Sequence, residues 1–232
     1  MAKFMKTWLL LALCFCLGLG VVAQEKEDHR LRESYDVLRE VLEAPDKGIP
    51  HDLLDKAKCV IVVPSMKKGA FIVGASYGRG VMVCRSGKDF AGAWSAPAMF
   101  ALEGGSFGFQ AGGEATDYVI LVMNEKGAKS VMSSKVKLGG EASIAAGPVG
   151  RTSSAETDAA MNAEMLSWSR SKGVFGGVSL EGSTIRSDDE ANKKLYGKDV
   201  NAKQIIVERD VESPAAAQSL EQLLTSTSPR PA

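Results

Sequence analysis

Histidine is the scarcest reactive residue in this chain, with His29 and His51 the only two in 232 residues. Neither belongs to an H-E-x-x-H pattern and no C-x-x-C occurs, so no metal site is expected. The chain also has no G-x-x-x-x-G-K-[ST] loop and no G-x-G-x-x-G fingerprint, and no cofactor is expected. Aromatic residues make up only 6% while glycine numbers 24. That balance favours a sheet-rich fold with tight turns over a helical bundle. Charge of one sign is not in excess either, with 28 basic and 28 acidic residues. A nucleic-acid partner held by bulk charge is therefore excluded.

One long apolar run stands out, Leu9 to Val22, preceded by Lys3 and Lys6 and closed by Val21-Val22-Ala23. Charge, apolar stretch and small final residue are the parts of a secretory signal. The run is shorter than the roughly 20 residues that cross a bilayer comfortably. Residues 1–23 thus read as a signal peptide cleaved after Ala23, which places the mature protein in a periplasm or outside the cell. An uncleaved anchor is the alternative. Cys14 and Cys16 leave with the leader, as do two lysines and no acids, so the mature chain is slightly acidic. Cys59 and Cys84 remain, each in an apolar strand-like run. They read either as two buried thiols or, after export, as a disulfide.

Leu31, Tyr35, Leu38 and Leu42 form one stripe of a predicted helix over 24–44, which docks on the domain's own core or lies on a membrane. His51 to Lys58 can form a second short helix. Strands are predicted at Cys59–Val63, Ala70–Ser76, Val81–Arg85 and Phe90–Trp94, with turns at Ser65–Gly69 and Tyr77–Gly80. Tyr118 to Met123 is apolar throughout and reads as a strand covered on both faces. Ala128 to Ser134 suggests one or two helical turns. Val136 to Ala146 suggests a strand bulged at Gly139-Gly140. Further strands are expected from about Met161, over Val174–Ile185 and over Lys203–Glu208. Asp188 caps a helix ended by Gly197. Residues 211–232 read as a final helix and a disordered tail. The predicted class is α+β, a curved or barrel-like antiparallel β-sheet with N-terminal and C-terminal helices packed on its ends.

Between Trp94 and Asp117, Gly104-Gly105-Ser106-Phe107-Gly108 spells G-x-S-x-G, the nucleophile elbow of serine hydrolases. That chemistry needs a histidine later in the chain and a strand–turn–helix setting. Both histidines precede Ser106, and Phe107 and Phe109 alternate as in a strand. A bent β-core is the favoured reading; a hydrolase using Ser106 is the alternative. Basic residues recur beside glycines near turns, namely Lys67, Lys68, Arg79, Arg85, Lys88, Arg151, Arg170 and Lys172. Gathered on one rim they would meet phosphates or anionic headgroups; scattered, they are solubilising charges.

Several linked motifs carry a resemblance. Trp94-Ser-Ala-Pro97, Gly105-Ser-Phe-Gly-Phe-Gln110, Thr116-Asp-Tyr-Val-Ile120 and Leu138-Gly139-Gly140 come first. Ala145-Ala-Gly-Pro-Val-Gly-Arg151 and Ser169-Arg-Ser-Lys-Gly-Val-Phe-Gly-Gly-Val-Ser-Leu-Glu-Gly182 follow, with Asn192 and Tyr196-Gly197. In order and spacing these resemble the SYLF domain family over residues 45–210. The resemblance implies a non-enzymatic lipid-binding module. Eukaryotic members bind phosphoinositide-containing membranes, some in yeast bind and bundle actin, and many carry an SH3 or FYVE domain. It also implies membrane contact through the N-terminal helix, here Leu31 to Leu42, and through Lys67-Lys68. The expectation is an exported protein that binds membrane lipid or an envelope component through Lys67, Lys68, Arg79, Arg85, Arg151, Arg170 and Lys172. An exported chain is not expected to meet actin. A structural envelope protein without a lipid ligand is the remaining alternative.

Overall fold

The computed structural model describes residues 24–44, 48–70, 73–107, 115–133, 135–149, 162–171 and 173–229, with the backbone alone at 68–70, 73–74 and 105–107. Helix α1 covers 24–43 and α2 is His51–Lys56. Strands β1 (Cys59–Ala70), β2 (Val73–Cys84), β3 (Ala98–Phe107) and β4 (Ala115–Val122) follow. Helix α3 (Glu125–Ser133) leads to the short strands β5 (Val136–Lys137) and β6 (Ile144–Ala146). Then come β7 (Met165–Ser171), β8 (Val174–Gly177), β9 (Thr184–Ser187) and α4 (Asp189–Tyr196). A π-helical turn (Gln204–Glu208), a 3-10 turn (Ala215–Ala217) and α5 (Gln218–Thr227) complete the described elements.

The strands run β5-β9-β3-β2-β1-β4-β7-β6, with β8 added on β7. Only the β6–β7 pair is parallel among the described pairs. β5 and β6 therefore stand at opposite ends of the path. Flat strands at about 4.8 Å spacing would hold them about 34 Å apart. The link from Lys137 to Ile144 reaches at most about 25 Å when fully extended. It is not extended: Leu138 bridges Ala142 around a turn with Gly139 at φ 83°. The sheet must curl, and it forms a half-barrel.

Curling gives two cores. The inner one gathers Ile61, Phe100, Ile120 and Met165 from the centre of the sheet and Val136, Ile144 and Ile185 from its ends. Val131 of α3 and Ile205 and Ile206 of the π-turn close it. The outer core joins Val60, Val62, Leu121 and Trp168 to Leu31 and Leu38 of α1 and Leu220 and Leu224 of α5. Alternate residues of Cys59–Val63 face opposite cores, which is why that run is apolar throughout. The α1 stripe serves core docking: Leu31, Ser34, Leu38 and Val41 are buried, with Tyr35 and Leu42 half-buried.

Several predicted elements differ. Tyr77–Gly80 is not a turn but the middle of β2. Gly80 serves close approach there, since a Cβ would fall 2.0 Å from the Val62 carbonyl oxygen. Ser65–Gly69 also stays within β1, which bulges between Val63 and Met66 while the Ser65 N–H donates to Asp117 Oδ1 at 2.8 Å. Phe90–Trp94 is not a strand: residues 87–90 turn, and Trp94 makes one bridge to Arg85. Val136–Ala146 splits into β5 and β6, and Val174–Ile185 spans β8 and the start of β9. Lys203–Glu208 forms the π-turn because Asn201 and Gln204 cap each other. The Gln204 N–H donates to Asn201 Oδ1 at 2.9 Å and the Asn201 N–H to Gln204 Oε1 at 3.0 Å. Phe109, Met161 and the final residues 230–232 lie outside the described residues.

α4 is tied to the sheet by polar bonds. The Asp188 N–H donates to the Met99 carbonyl at 2.9 Å, and the Met99 N–H donates to Asn192 Oδ1 at 2.7 Å. Asn192 is fully buried. Replacing it with alanine strands the Met99 N–H, so Asn192→Ala is expected to cost about 1–3 kcal/mol, read as a lower denaturation midpoint with an unchanged slope.

Candidate functional site

The register decides which of the predicted basic residues meet. Lys67 pairs across with Tyr77 and Ala115, and Asp117 pairs with Arg170. Lys67, Lys68 and Arg170 thus share one end of the sheet. Lys67 is exposed with no charge partner among the described residues. The Lys68 side chain, Arg151 and Lys172 lie outside the described residues. Arg170 donates to Asp117 Oδ2 at 2.7 Å, pairs with Glu40 of α1 and lies 5.7 Å from the Phe175 ring centre.

Arg79 stands mid-strand and binds Asp188 at 2.6 Å, beside the buried Glu27–Arg30 pair. Burial pushes the Glu27 carboxyl up and the Arg30 guanidinium down, each opposed by its partner. Burial also pushes Asp188 up, but the bond from Arg79 and its charge outweigh it and hold that carboxyl below the ordinary range. Arg85 is at the opposite end of the sheet, 3% exposed. It stacks 4.1 Å from the Trp94 ring centre and donates to the Ser228 carbonyl at 2.8 Å and Oγ at 2.7 Å, closing the end of α5. Trp94 Nε1 donates to the same carbonyl at 3.1 Å. The basic residues therefore do not form one rim.

Ser106 pairs with Gly74 at the last residues of β3, and His29 and His51 belong to α1 and α2. Among the described residues no group of three or more His, Cys, Asp or Glu is placed to hold a metal. No described helix is long and apolar enough to cross a membrane. Cys59 and Cys84 face each other across β1 and β2, joined as a disulfide.

The disulfide end carries a concave site. A cavity of about 500 Å³ opens between the loop after β2, helix α3 and the π-turn, within the usual range for small-molecule sites. Phe90, Met132 and Val207 give it apolar walls continuous with the inner core. Lys88, Lys129 and Lys203 ring it, with Glu208 and Ser133. Lys129 binds Glu125 at 2.8 Å and Lys203 binds Glu208 at 3.0 Å. Lys88 is exposed and without a charge partner among the described residues. Phe90 is buried at φ 51°, an uncommon backbone for a bulky residue. A second hollow of about 390 Å³ shares Val207 and is lined by Ser86, Asp89 and Arg209. An apolar interior under a cationic mouth suits a ligand with an apolar body and an anionic head. Sequence reasoning singled out Lys88 alone of this set, because the walls come from three distant segments. The available signal was Lys129 and Met132, i and i+3 on one helix.

The Arg79–Asp188 pair sets an acid limit. Its stability is complete above the unfolded aspartate pKa, about 3.9, and is lost as pH falls through the lower folded value. Thermal melts from neutral to acid pH are expected to fall less steeply at the acid end in Asp188→Asn than in the parent chain.

A family description, "Las17-binding protein actin regulator" (Ysc84), matches residues 103–227. "LAS seventeen-binding protein 3" of Saccharomyces cerevisiae (strain ATCC 204508 / S288c) is 39% identical over 184 residues, 78% of this chain and 39% of that protein. "SH3 domain-containing YSC84-like protein 1" of Homo sapiens is 33% identical over 201 residues, 84% of this chain and 57% of that protein. The chain thus spans between 39% and 57% of these two relatives' lengths. The family description and the yeast relative's name describe regulation and binding rather than a reaction. With the half-barrel sheet between terminal helices, these matches show that the chain belongs to the Ysc84, or SYLF, family.

Proposed function

We propose that the chain is an exported, non-enzymatic protein that binds lipid. The observation that carries this reading is the cavity of about 500 Å³ with Phe90, Met132 and Val207 inside and Lys88, Lys129 and Lys203 around its mouth. Apolar walls gain about 25 cal/mol for each Å² of apolar surface taken from water, and the lysines select an anionic head. Family membership supports the same reading. The partner is a membrane lipid or another envelope component carrying that chemistry. Of the basic residues expected from the sequence, Lys67, Lys68, Arg151, Arg170 and Lys172 stay in the proposal as contacts, the exposed Lys67 the most direct of them, whereas Arg79 is held by Asp188 and Arg85 is buried against Trp94 and Ser228.

The leader and the Cys59–Cys84 bond support export, since disulfides persist in oxidising compartments. On this reading actin is not the partner, although the matching family is described as an actin regulator. N-terminal sequencing of the exported protein is expected to begin at Gln24; a chain that retains Met1 removes the cleavage claim. Liposome flotation of residues 24–232 tests the binding itself. Flotation is expected with anionic vesicles, weaker with neutral ones, and reduced at high salt. Failure to float with any composition removes binding to a membrane surface. A serine-directed fluorophosphonate is expected to leave the protein unlabelled; labelling lost in Ser106→Ala would make it a hydrolase.

A further inference from the structure

We infer that the cavity takes up a single-chain anionic amphiphile as a monomer, its tail against Phe90, Met132 and Val207 and its head among Lys88, Lys203 and Arg209. This rests on the lipid-binding reading and narrows it.

Size limits the tail. A methylene is comparable to a water molecule, whose share of liquid volume is roughly 30 Å³. The cavity of about 500 Å³ then holds on the order of fifteen such groups, one chain, and a two-chain lipid carries about twice as many. Shape favours a monomer over bilayer insertion. The apolar groups beside the lysines are recessed, and Phe90 is 1% exposed. The large hydrophobics that do project among the described residues are Tyr77, Val149 and Val174. None of them lines the cavity. Among the described residues no apolar prong next to the cationic mouth is available to enter a bilayer, so the apolar part of the ligand must come to the protein.

Charge places the head. The mouth carries three lysines against Glu208. Lys88 has no competing carboxylate among the described residues, while Lys203 and Lys129 each hold a glutamate. Those pairs are exposed and weak, so an incoming anion displaces them at little cost. Val207 belongs to both hollows, and Arg209 lies across it in the polar one. A head that leaves the apolar cavity over Val207 arrives beside the exposed Arg209, in a hollow that Asp89 also lines, with the lysines of the first cavity behind it. Carboxylate and phosphate heads satisfy this chemistry equally.

Isothermal titration of residues 24–232 tests it, with each amphiphile below its micellar concentration. Dodecanoate and dodecyl phosphate are expected to bind one to one, and their ratio separates the two head chemistries. Dodecyl maltoside is expected to bind at least tenfold more weakly, and inorganic phosphate alone not measurably. Ser133→Trp and Val207→Trp each obstruct the cavity and should weaken the anionic amphiphiles tenfold or more; Ser133 is exposed, so its variant should keep the parent melting temperature. Lys88→Gln with Arg209→Gln should weaken the anionic ligands about fivefold and leave the maltoside unchanged. Equal binding of neutral and anionic amphiphiles overturns the assignment of the head, and indifference to both tryptophan variants overturns the site. Vesicle flotation without monomer binding overturns the inference while leaving the lipid reading intact; failure of both removes the two together.

Discussion

Residues 138–143 hold the two ends of the sheet together, and most of the architecture follows from that short tether. Because β5 and β6 stand at opposite ends of the strand path, the sheet between them has to bend until they are neighbours. Bending gives the sheet an inside, and the inside needs filling. Phe100, Ile120 and Met165 fill its centre, while α3 and the π-turn cover one opening. The cavity lies at the seam where those two coverings meet the loop after β2. Its position is a consequence of how the half-barrel is closed.

The motifs that identify the family do mostly structural work. Gly147 lets the chain pass over Trp168, where a Cβ would fall 2.0 Å from the ring. The indole then donates to the Pro148 carbonyl at 2.9 Å. Ser167 Oγ, beneath the same crossing, donates to the Val178 carbonyl at 2.6 Å. Tyr196 Oη donates to the Pro97 carbonyl at 2.5 Å, and burial pushes its phenol far above the ordinary range. Polar groups removed from water are in the great majority matched by a partner, which restricts which residues can occupy those places.

The sequence was read well where a segment's own pattern decided its structure. The β-branched run at Cys59–Val63, the apolar Tyr118–Val122 stretch, the Asp188 cap and the α1 stripe all follow from local periodicity or capping. It was read poorly where distant segments decided. Gly78 and Gly80 suggest a turn until β1 is known to pass close by, and Ile205-Ile206-Val207 suggests a strand until Asn201 and Gln204 are seen to cap each other. The basic residues show the same divide. Arg85 resembles any other loop arginine in the sequence, yet Ser228 lies 143 residues away and accepts its hydrogen bonds. The cavity was the least legible feature, because Lys88, Lys129 and Lys203 share a mouth only after three segments converge.

That contact between Arg85 and Ser228 also bears on timing. α1, the first described helix, and α5, the last one, belong to one apolar cluster. The outer face therefore cannot be completed until nearly the whole chain is available. Residues that emerge early must wait, with Val60, Val62 and Leu121 still uncovered.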